Sequence, residues 1–398
     1  MWKTAGLADV CELIARGTAP KYTETGGILV LNQKCVRDHS IQFTQARRHN
    51  EQVKPTKQER LIREWDVLVN STGQGTLGRV AQLREHLQQD VTVDSHVTIL
   101  RPIQDLFYPP FFGYLMIALE PIFQKSGLGA GGQTELSAKR LKTEFSVTFP
   151  ESKAEQQRIV AKLDAAFAEI DRAIEATALS KKNANKALVQ HLHQTFSSLD
   201  EQAYQCVGDV AEHCLGKMLD KKKNKGELKP YLRNQNVRWF DVSTDDLLEM
   251  KFEAHEHERY SVRRGDLLIC EGGYPGRASI WSRDEEIFIQ KAIHRVRFPS
   301  QIHNVWLMYY LYYLDITDKL KQHFTGAGIQ HFTGKALAKL RIPLLPADLI
   351  EKRVLTISAI HTNIEVVSQI SDLKFKNLKS LKSAILAQEL RPFQSEAA

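Results

Sequence analysis

Residues 149–196 read FPESKAEQQRIVAKLDAAFAEIDRAIEATALSKKNANKALVQHLHQTF. Apart from a gap near Lys181, apolar residues recur in this stretch at steps of three and four, which is the period of an amphipathic helix; they are Ile159, Leu163, Phe167, Ile170, Ile174, Ala178, Leu188, Leu192 and Phe196. Neither glycine nor proline follows Pro150 in the stretch. One helix of roughly 40 residues, about 60 Å long, is therefore predicted. Ordinary core helices run about 8–20 residues, so this helix is predicted to be a spacer or a dimerisation strut.

A second stretch of the same kind occupies residues 346–393. It also opens with a proline and an acidic first turn, reading PADLIEKR where the first reads PESKAEQQR. Proline and acidic residues both favour a helix N-terminus. Its apolar positions are Ile357, Ile360, Ile364, Val367, Leu378, Leu381 and Ile385. Because both stretches lose apolar character midway, at residues 180–185 and 371–376, we expect the two helices to pair antiparallel, polar middle against polar middle.

The residues before the two helices also repeat, with a period of about 200. The matching segments are Asp9-Val10 and Asp209-Val210, the strand-like runs 66–69 and 266–269, the runs 31–36 and 232–237, the pairs Gly78-Arg79 and Gly276-Arg277, the helix-like segments 110–119 and 304–314, and the glycine turns 127–133 and 326–330. This period is too long for a solenoid, so we predict a duplicated unit. The expected fold is α+β, with two similar globular domains (1–149 and 199–345) and two helical regions (150–198 and 346–398) packed as an antiparallel, pseudo-twofold coiled coil.

Composition narrows the class of protein. A chain of 398 residues suits two domains, and a net charge of +7 suits nucleic acid or an anionic membrane surface. The five cysteines include no C-x-x-C pair, so neither a disulfide framework nor a zinc site is expected. The N-terminus lacks a signal-peptide pattern, and no run approaches 18 apolar residues, so a cytoplasmic protein is expected. Two similar readers at a fixed separation suit double-stranded DNA.

The start of the first long helix carries a distinctive pattern, P-x4-E-Q-x2-I-V-x2-L-D. Its residues are Pro150, Glu155, Gln156, Ile159, Val160, Leu163 and Asp164. With this pattern, the duplicated domains and the two helices, the chain resembles over its whole length the specificity subunit of type I restriction-modification systems. The second helix departs from the pattern, because Glu351-Lys352 stands in place of Glu-Gln and no Leu-Asp follows.

The resemblance implies a role in host defence. Each domain would be a target-recognition domain for one half of an asymmetric, bipartite DNA sequence, and the chain would hold two adenine-N6 methyltransferase subunits and two endonuclease subunits. S-adenosylmethionine, ATP and Mg²⁺ would bind to those partners, so this chain would need no cofactor, contact no membrane and be no enzyme. The resemblance also implies docking of partner subunits on the central helix, at Glu155, Gln156, Ile159, Leu163, Asp164 and Ile170.

Candidate DNA contacts follow from the chemistry of base edges. Arg and Lys read guanine, whereas Asn and Gln read adenine, and we look for them on glycine-containing or turn-like segments. The candidates are Gln74 and Arg79 in the first domain and Arg233, Asn234, Tyr274 and Arg277 in the second. The lysine run Lys217, Lys221, Lys222, Lys223 and Lys225 either neutralises phosphates or forms a solvated loop. Arg79 and Arg277 either read bases, hold phosphates or shape their loops.

Two other classes of protein are weighed against this interpretation. A self-contained methyltransferase is disfavoured, because the segment Tyr108-Pro109-Pro110-Phe111 begins with a tyrosine that cannot accept a hydrogen bond from the adenine amino group through a side-chain carbonyl. A proline-started helix explains it better, and neither catalytic nor metal-binding residues are predicted. A coiled-coil scaffold that binds proteins without DNA specificity remains the alternative.

Overall fold

The computed structural model describes residues 1–126, 135–220 and 222–390. They form an α+β chain with two compact units. The first unit comprises Met1–Thr177 and the chain from Leu373 onwards, and the second comprises Ala178–Asp372. Among the described residues, no helix is both long and apolar enough to cross a membrane. The glycine turn at 127–133, Lys221 and the last residues of the distal helical region, from 391, lie outside the described part.

In the described residues, the first unit combines two four-stranded sheets, two two-stranded sheets and three shorter helices. Its strands are β1 (Trp2–Gly6), β2 (Cys11–Arg16), β3 (Tyr22–Thr23), β4 (Ile28–Leu31), β5 (Val36–Arg37), β6 (Ser40–Ile41), β7 (Arg47–His49), β8 (Val67–Asn70), β9 (Val80–Gln82), β10 (Val91–Val93), β11 (Val97–Pro102) and β12 (Ser146–Pro150), and its helices are α1 (Leu7–Val10), α2 (Pro109–Ser126) and α3 (Ala138–Glu144). One four-stranded sheet has the order β2-β11-β8-β9 and is antiparallel, and the other has the order β10-β4-β7-β3, in which β10 and β4 are parallel. The two-stranded sheets are β1-β12 and β5-β6.

Strand β8 lies at the centre of this unit and explains the apolar run at 67–69. Val67 and Val69 pack with α2, whereas Leu68 packs with Leu31 and Val93 of the other sheet. A strand covered on both faces has no solvent side, so its sequence need not alternate between apolar and polar residues. Helix α2 begins at Pro109, as the two prolines predicted, and extends past the expected end to Ser126.

The second unit repeats this plan. Its strands are β13 (Tyr204–Cys206), β14 (Glu212–Leu215), β15 (Glu227–Leu232), β16 (Val237–Arg238), β17 (Asp241–Val242), β18 (Leu248–Phe252), β19 (Ser261–Val262), β20 (Leu267–Cys270), β21 (Ala278–Ile280), β22 (Ile287–Ile289), β23 (Ile293–Arg297) and β24 (Arg341–Pro343). The sheet β14-β23-β20-β21 matches β2-β11-β8-β9, and the parallel pair β15–β22 of the sheet β18-β15-β22-β19 matches β4–β10. The predicted duplication is confirmed at the level of strand order.

The first long helix is α4 (Lys153–Ser197). The shorter helices α5 (Val207–Val210), α6 (His257–Tyr260), α7 (Gln301–Ile316) and α8 (Gly334–Lys339) follow it, and the second long helix is α9 (Ala347–Leu390). Three ion pairs join them: Lys162 with Glu389 at 2.5 Å, Asp171 with Lys382 at 2.5 Å and Lys181 with Asp372 at 2.9 Å. The numbers rise on one helix as they fall on the other, so the pairing is antiparallel, as predicted. Lys181 and Asp372 lie in the two polar middles. The four domain limits themselves remain a prediction.

A buried ion pair supports the matching Asp-Val-Leu-Val and Asp-Leu-Leu-Ile runs. Asp66 accepts hydrogen bonds from Arg101 Nε and Nη2 at 2.8 and 2.7 Å. Asp266 accepts them from Arg297 Nε and Nη2 at 2.7 and 2.6 Å. Each aspartate also accepts a hydrogen bond from the backbone N–H three residues earlier, so it fixes the turn into its strand. The repeated aspartate is therefore structural.

Candidate nucleic-acid interface

Strand ends converge at one edge of each unit. In the second unit this strand-end edge comprises residues 216–217, 232–234, 271–274, 290–292 and 325–332; in the first it comprises residues 17, 31–33, 71–74, 94–96 and 135–136. Four backbone hydrogen bonds recur at both edges. In the second unit they run from Gln290 N to Leu232 O, Glu271 N to Ala292 O, Phe332 N to Glu271 O and Gly216 N to Ile293 O. Their counterparts in the first unit, in the same order, run from Asp94 N to Leu31 O, Ser71 N to His96 O, Leu136 N to Ser71 O and Gly17 N to Val97 O. The backbone of the strand-end edge, called the frame below, is therefore equivalent in the two units.

A glycine lets two strands meet at each edge. A Cβ atom at Gly17 would lie 1.9 Å from the Val93 carbonyl oxygen, and one at Gly216 would lie 2.5 Å from that of Ile289. These separations are far below any van der Waals contact, so only glycine fits. Both glycines serve the fold rather than a ligand.

In the second unit, the edge brings together three of the predicted DNA-contacting residues, Asn234, Tyr274 and Arg277. Arg277 Nη2 donates to the Asn234 carbonyl oxygen at 3.1 Å, and Asn234 Nδ2 donates to the Gly272 carbonyl oxygen at 3.1 Å. The Arg277 guanidinium lies 5.1 Å from the centre of the Tyr274 ring, a cation–π contact. Tyr274 is 47% exposed. Arg277 therefore shapes the loop, while Tyr274 offers a ring to solvent.

Arg233 also holds a turn. Its Nη2 donates to the backbone oxygen of Asp246 at 2.5 Å and to Asp246 Oδ2 at 2.7 Å. Hydrogen bonds from Asn236 and then the charge of Arg233 lower the pKa of Asp246. The guanidinium is thus engaged within the domain, which favours a positioning role over base reading.

The first unit places its two predicted readers on the loop 71–79. Gln74 is exposed, whereas Arg79 is half-buried and donates from Nη2 to the Gly75 carbonyl oxygen at 2.9 Å. Asn70, at the end of β8, donates to the Gln33 carbonyl oxygen at 3.0 Å. Cys270, at the end of β20, donates in the same way to the Asn234 carbonyl oxygen at 3.4 Å. In both units the glycine-containing loop that follows β8 or β20 lies beside the turn that follows β4 or β15.

The lysine run divides into different environments. Lys217 is buried: its Nζ donates to the Lys251 carbonyl oxygen at 2.9 Å and pairs with Glu256. This differs from the solvated-loop expectation, because the loop begins only after the bridge between Lys217 and Gln290. Lys222, Lys223 and Lys225 are exposed and meet the electrostatic requirement for phosphate contact.

The predicted docking residues also divide. Gln156 is fully buried: its Oε1 accepts from the Tyr108 N–H at 2.6 Å, and its Nε2 donates to the carbonyl oxygens of Pro150 and Leu106 at 2.8 and 3.3 Å. Ile159, Leu163 and Ile170 are buried as well. Only Glu155 and Asp164 reach solvent; Glu155 pairs with Arg158 at 2.7 Å, and Asp164 accepts a hydrogen bond from the Tyr114 hydroxyl. The pattern in this helix therefore describes packing on its own domain more than an open surface.

Sequence reasoning missed several residues of the edge. They are Gln33 and His96 in the first unit and Gln290, Lys291, Ile329, Gln330 and His331 in the second. The glycine turn at 326–330, which repeats the turn at 127–133, was a usable signal. Elsewhere in the described residues, Glu253, His255 and Glu256 bring one ligand atom each within 4.8 Å of one another. Glu256 there is already held by Lys217.

Comparisons with known proteins agree with this architecture. Residues 1–179 match the family model of the type I restriction modification DNA specificity domain. Curated protein sequences give no significant match. A structure described as the basis of complex assembly and conformational transition of the type I R-M system superposes with a TM-score of 0.75 at 16% identity, covering 98% of this chain and 97% of that one. The HsdS subunit from Thermoanaerobacter tengcongensis superposes with a TM-score of 0.59 at 18% identity, covering 98% and 96%.

The structural likenesses, at these identities, concern the fold. The family match covers the first domain and the start of α4, and the second domain repeats the first in strand order and hydrogen bonding. Residues 1–179 thus match the type I restriction modification DNA specificity domain, and the whole chain is similar in fold to the two solved structures.

Proposed function

We propose that this chain is a DNA specificity subunit and that each of its domains reads one half of an asymmetric, bipartite DNA target. The observation that carries this proposal is the strand-end edge, which occurs twice with the same backbone hydrogen bonds. The side chains at equivalent positions of the two edges differ: Gln33, Gln74 and His96 of the first unit correspond in sequence to Asn234, Tyr274 and Ala292 of the second. Because base edges are read by side chains, equal frames with unequal side chains support two different half-targets.

The same proposal gives the long helices a docking role. On α9, before residue 373, the side chains of Leu355, Val366 and Ile370 are 63%, 47% and 60% exposed. Steps of 11 and 4 residues place them on one helix face. Exposed apolar residues that share a face are typical of protein interfaces. We propose that adenine-N6 methyltransferase subunits, two per complex, dock on the helices, and that endonuclease subunits join this assembly.

In this proposal, the catalytic steps and their cofactors are assigned to the partner subunits. S-adenosylmethionine would bind to the methyltransferase subunits, and ATP and Mg²⁺ to the endonuclease subunits. The segment at Tyr108 supports a non-catalytic role for this chain, because the Tyr108 N–H is held by Gln156 and Pro109 starts α2. The tyrosine and the prolines thus serve the fold.

The test is selection of bound duplexes from a randomised pool by the full-length chain. Enrichment of two short specific sequences around a fixed gap would support the proposal. Enrichment of one uninterrupted sequence would contradict the one-half-per-domain assignment. Absence of DNA binding, with methyltransferase binding retained, would favour the alternative, a coiled-coil interaction scaffold.

A further inference from the structure

A narrow loop closes the strand-end edge of the second unit. Residues 325–331 read TGAGIQH and are all exposed. Thr325 and His331 exchange both backbone hydrogen bonds, at 2.9 and 2.8 Å, and Gly326 takes a φ of +110°. Phe332 anchors the loop, because it is fully buried and its N–H donates to the Glu271 carbonyl oxygen at 2.7 Å. The loop therefore has a fixed base and an exposed tip.

The tip carries an apolar side chain. Ile329 is 77% exposed. A single exposed apolar residue is common on protein surfaces, so exposure alone is not informative. Its place is informative, because the loop adjoins the predicted readers: a Cβ atom at Gly272 would lie 3.1 Å from His331 Nδ1, and the Gly272 carbonyl accepts a hydrogen bond from Asn234. An isoleucine and a glutamine, Gln330, thus stand side by side next to the edge assigned to DNA.

The side chains at the tip match one kind of base pair. In the major groove an A·T pair presents the thymine C5-methyl group, which takes apolar contacts, and the adenine N6 and N7 atoms, which pair with Gln or Asn. The loop 325–331 contains neither Lys nor Arg, so it lacks the charged side chains that neutralise phosphates. Exposed Lys291, at the same edge, supplies a nearby positive charge.

Resting on the proposed function, we infer that this loop reads A·T pairs in the major groove of the half-target bound by the second domain. Ile329 packs on a thymine methyl group, and the Gln330 amide pairs with N6 and N7 of an adenine. The loop is thereby a specificity element, in addition to holding the edge together.

The experiment uses the full-length chain and the duplex that it enriches from a random pool. Each thymine of both half-targets is replaced in turn by uracil, which lacks only the methyl group. The wild-type chain should lose about fourfold in affinity at one thymine, the value expected for one buried methyl. Ile329→Ala should bind the thymine and uracil duplexes equally. Val53→Ala, which truncates a 63% exposed apolar residue of the first unit, should distinguish the two duplexes as the wild type does.

A second series tests Gln330. Replacement of adenines by 7-deazaadenine removes the N7 acceptor, and the wild-type chain should weaken at one adenine where Gln330→Ala does not. The inference is overturned if the wild type never distinguishes thymine from uracil. It is also overturned if Ile329→Ala weakens binding to all duplexes by the same factor. Those outcomes leave the proposed function intact, because a split target would still be enriched. Lack of any enriched target would remove both.

Discussion

At the scale of single residues, several polar side chains that look like DNA or partner contacts in the sequence serve the domain itself. Arg233, Arg277 and Lys217 each donate to a backbone carbonyl of their own unit. Sequence alone cannot separate these cases from free cations, because the acceptors lie 13, 43 and 34 residues away along the chain. The turn residues were predicted correctly as turns, whereas their side-chain partners depend on tertiary packing.

The two neighbours Glu155 and Gln156 should behave differently on mutation. Gln156→Ala leaves the Tyr108 N–H and two carbonyl groups without their partner, so the free energy of unfolding should fall by about 2–4 kcal/mol. Glu155→Ala should leave stability unchanged and, if the docking prediction holds, weaken methyltransferase binding. Urea unfolding and a titration with the partner measure the two effects. Equal stability of the two variants would contradict this assignment.

Two lysines of the lysine run should differ in their effect on the salt dependence of DNA binding. Lys222→Ala should reduce the slope of log K against log salt concentration by about 0.9, as expected for one lost phosphate contact. Lys217→Ala should leave that slope unchanged and lower the free energy of unfolding by about 1–3 kcal/mol, because it leaves Glu256 and the Lys251 carbonyl oxygen without their donor. A reduced slope for Lys217→Ala would show that its charge reaches DNA.

Stability should depend on pH through His294. Burial lowers the pKa of this fully buried residue from 6.5 to about 4, with a smaller contribution from the charge of His213. Between these values the unfolded chain binds a proton that the folded chain does not, so stability is present above pH 6.5 and is lost as the pH falls towards 4. The loss should approach about 3 kcal/mol. In His294→Gln, urea unfolding from pH 7.5 to 4 should show a flatter profile; an unchanged profile would contradict the assignment.

At the scale of elements, periodicity predicted the long helices and their antiparallel pairing. Helices α4 and α9 span 45 and 44 residues, and their pairing buries Leu188 and Leu192 with Ile350, Val354 and Ile357. The heptad-like spacing was sufficient for this prediction because both helices repeat one apolar stripe. The second apolar face of α9 was not predicted, because its members are interspersed with polar residues.

That second face leads to a prediction about assembly. Leu355→Ser, Val366→Ser and Ile370→Ser should each weaken methyltransferase binding while leaving the free energy of unfolding within about 0.5 kcal/mol of the wild type, as for surface positions generally. Val354→Ser, one residue from Leu355 and 4% exposed, should instead destabilise the second unit. Titration calorimetry and urea unfolding distinguish the two classes. Unchanged binding in all three surface variants would place docking elsewhere.

At the scale of the whole molecule, duplication is the main result. The repeats read from the sequence correspond to matching strand orders, matching strand-end edges and matching Asp–Arg pairs in the two units. Local patterns such as the repeated aspartates Asp66 and Asp266 carry this information because they fix turns. The target bases do not follow from such patterns, since they depend on exposed loop side chains that the frame leaves variable.

One measurement tests the central claim most directly. The chain is expressed with a methyltransferase partner in a host that lacks adenine methylation, and every N6-methyladenine of the host genome is mapped. Two frames with different side chains predict a split motif, in which two short, unlike specific halves flank a fixed unspecific gap. A single uninterrupted motif, or an unmethylated genome despite an assembled complex, would contradict the claim that the two domains read two half-targets.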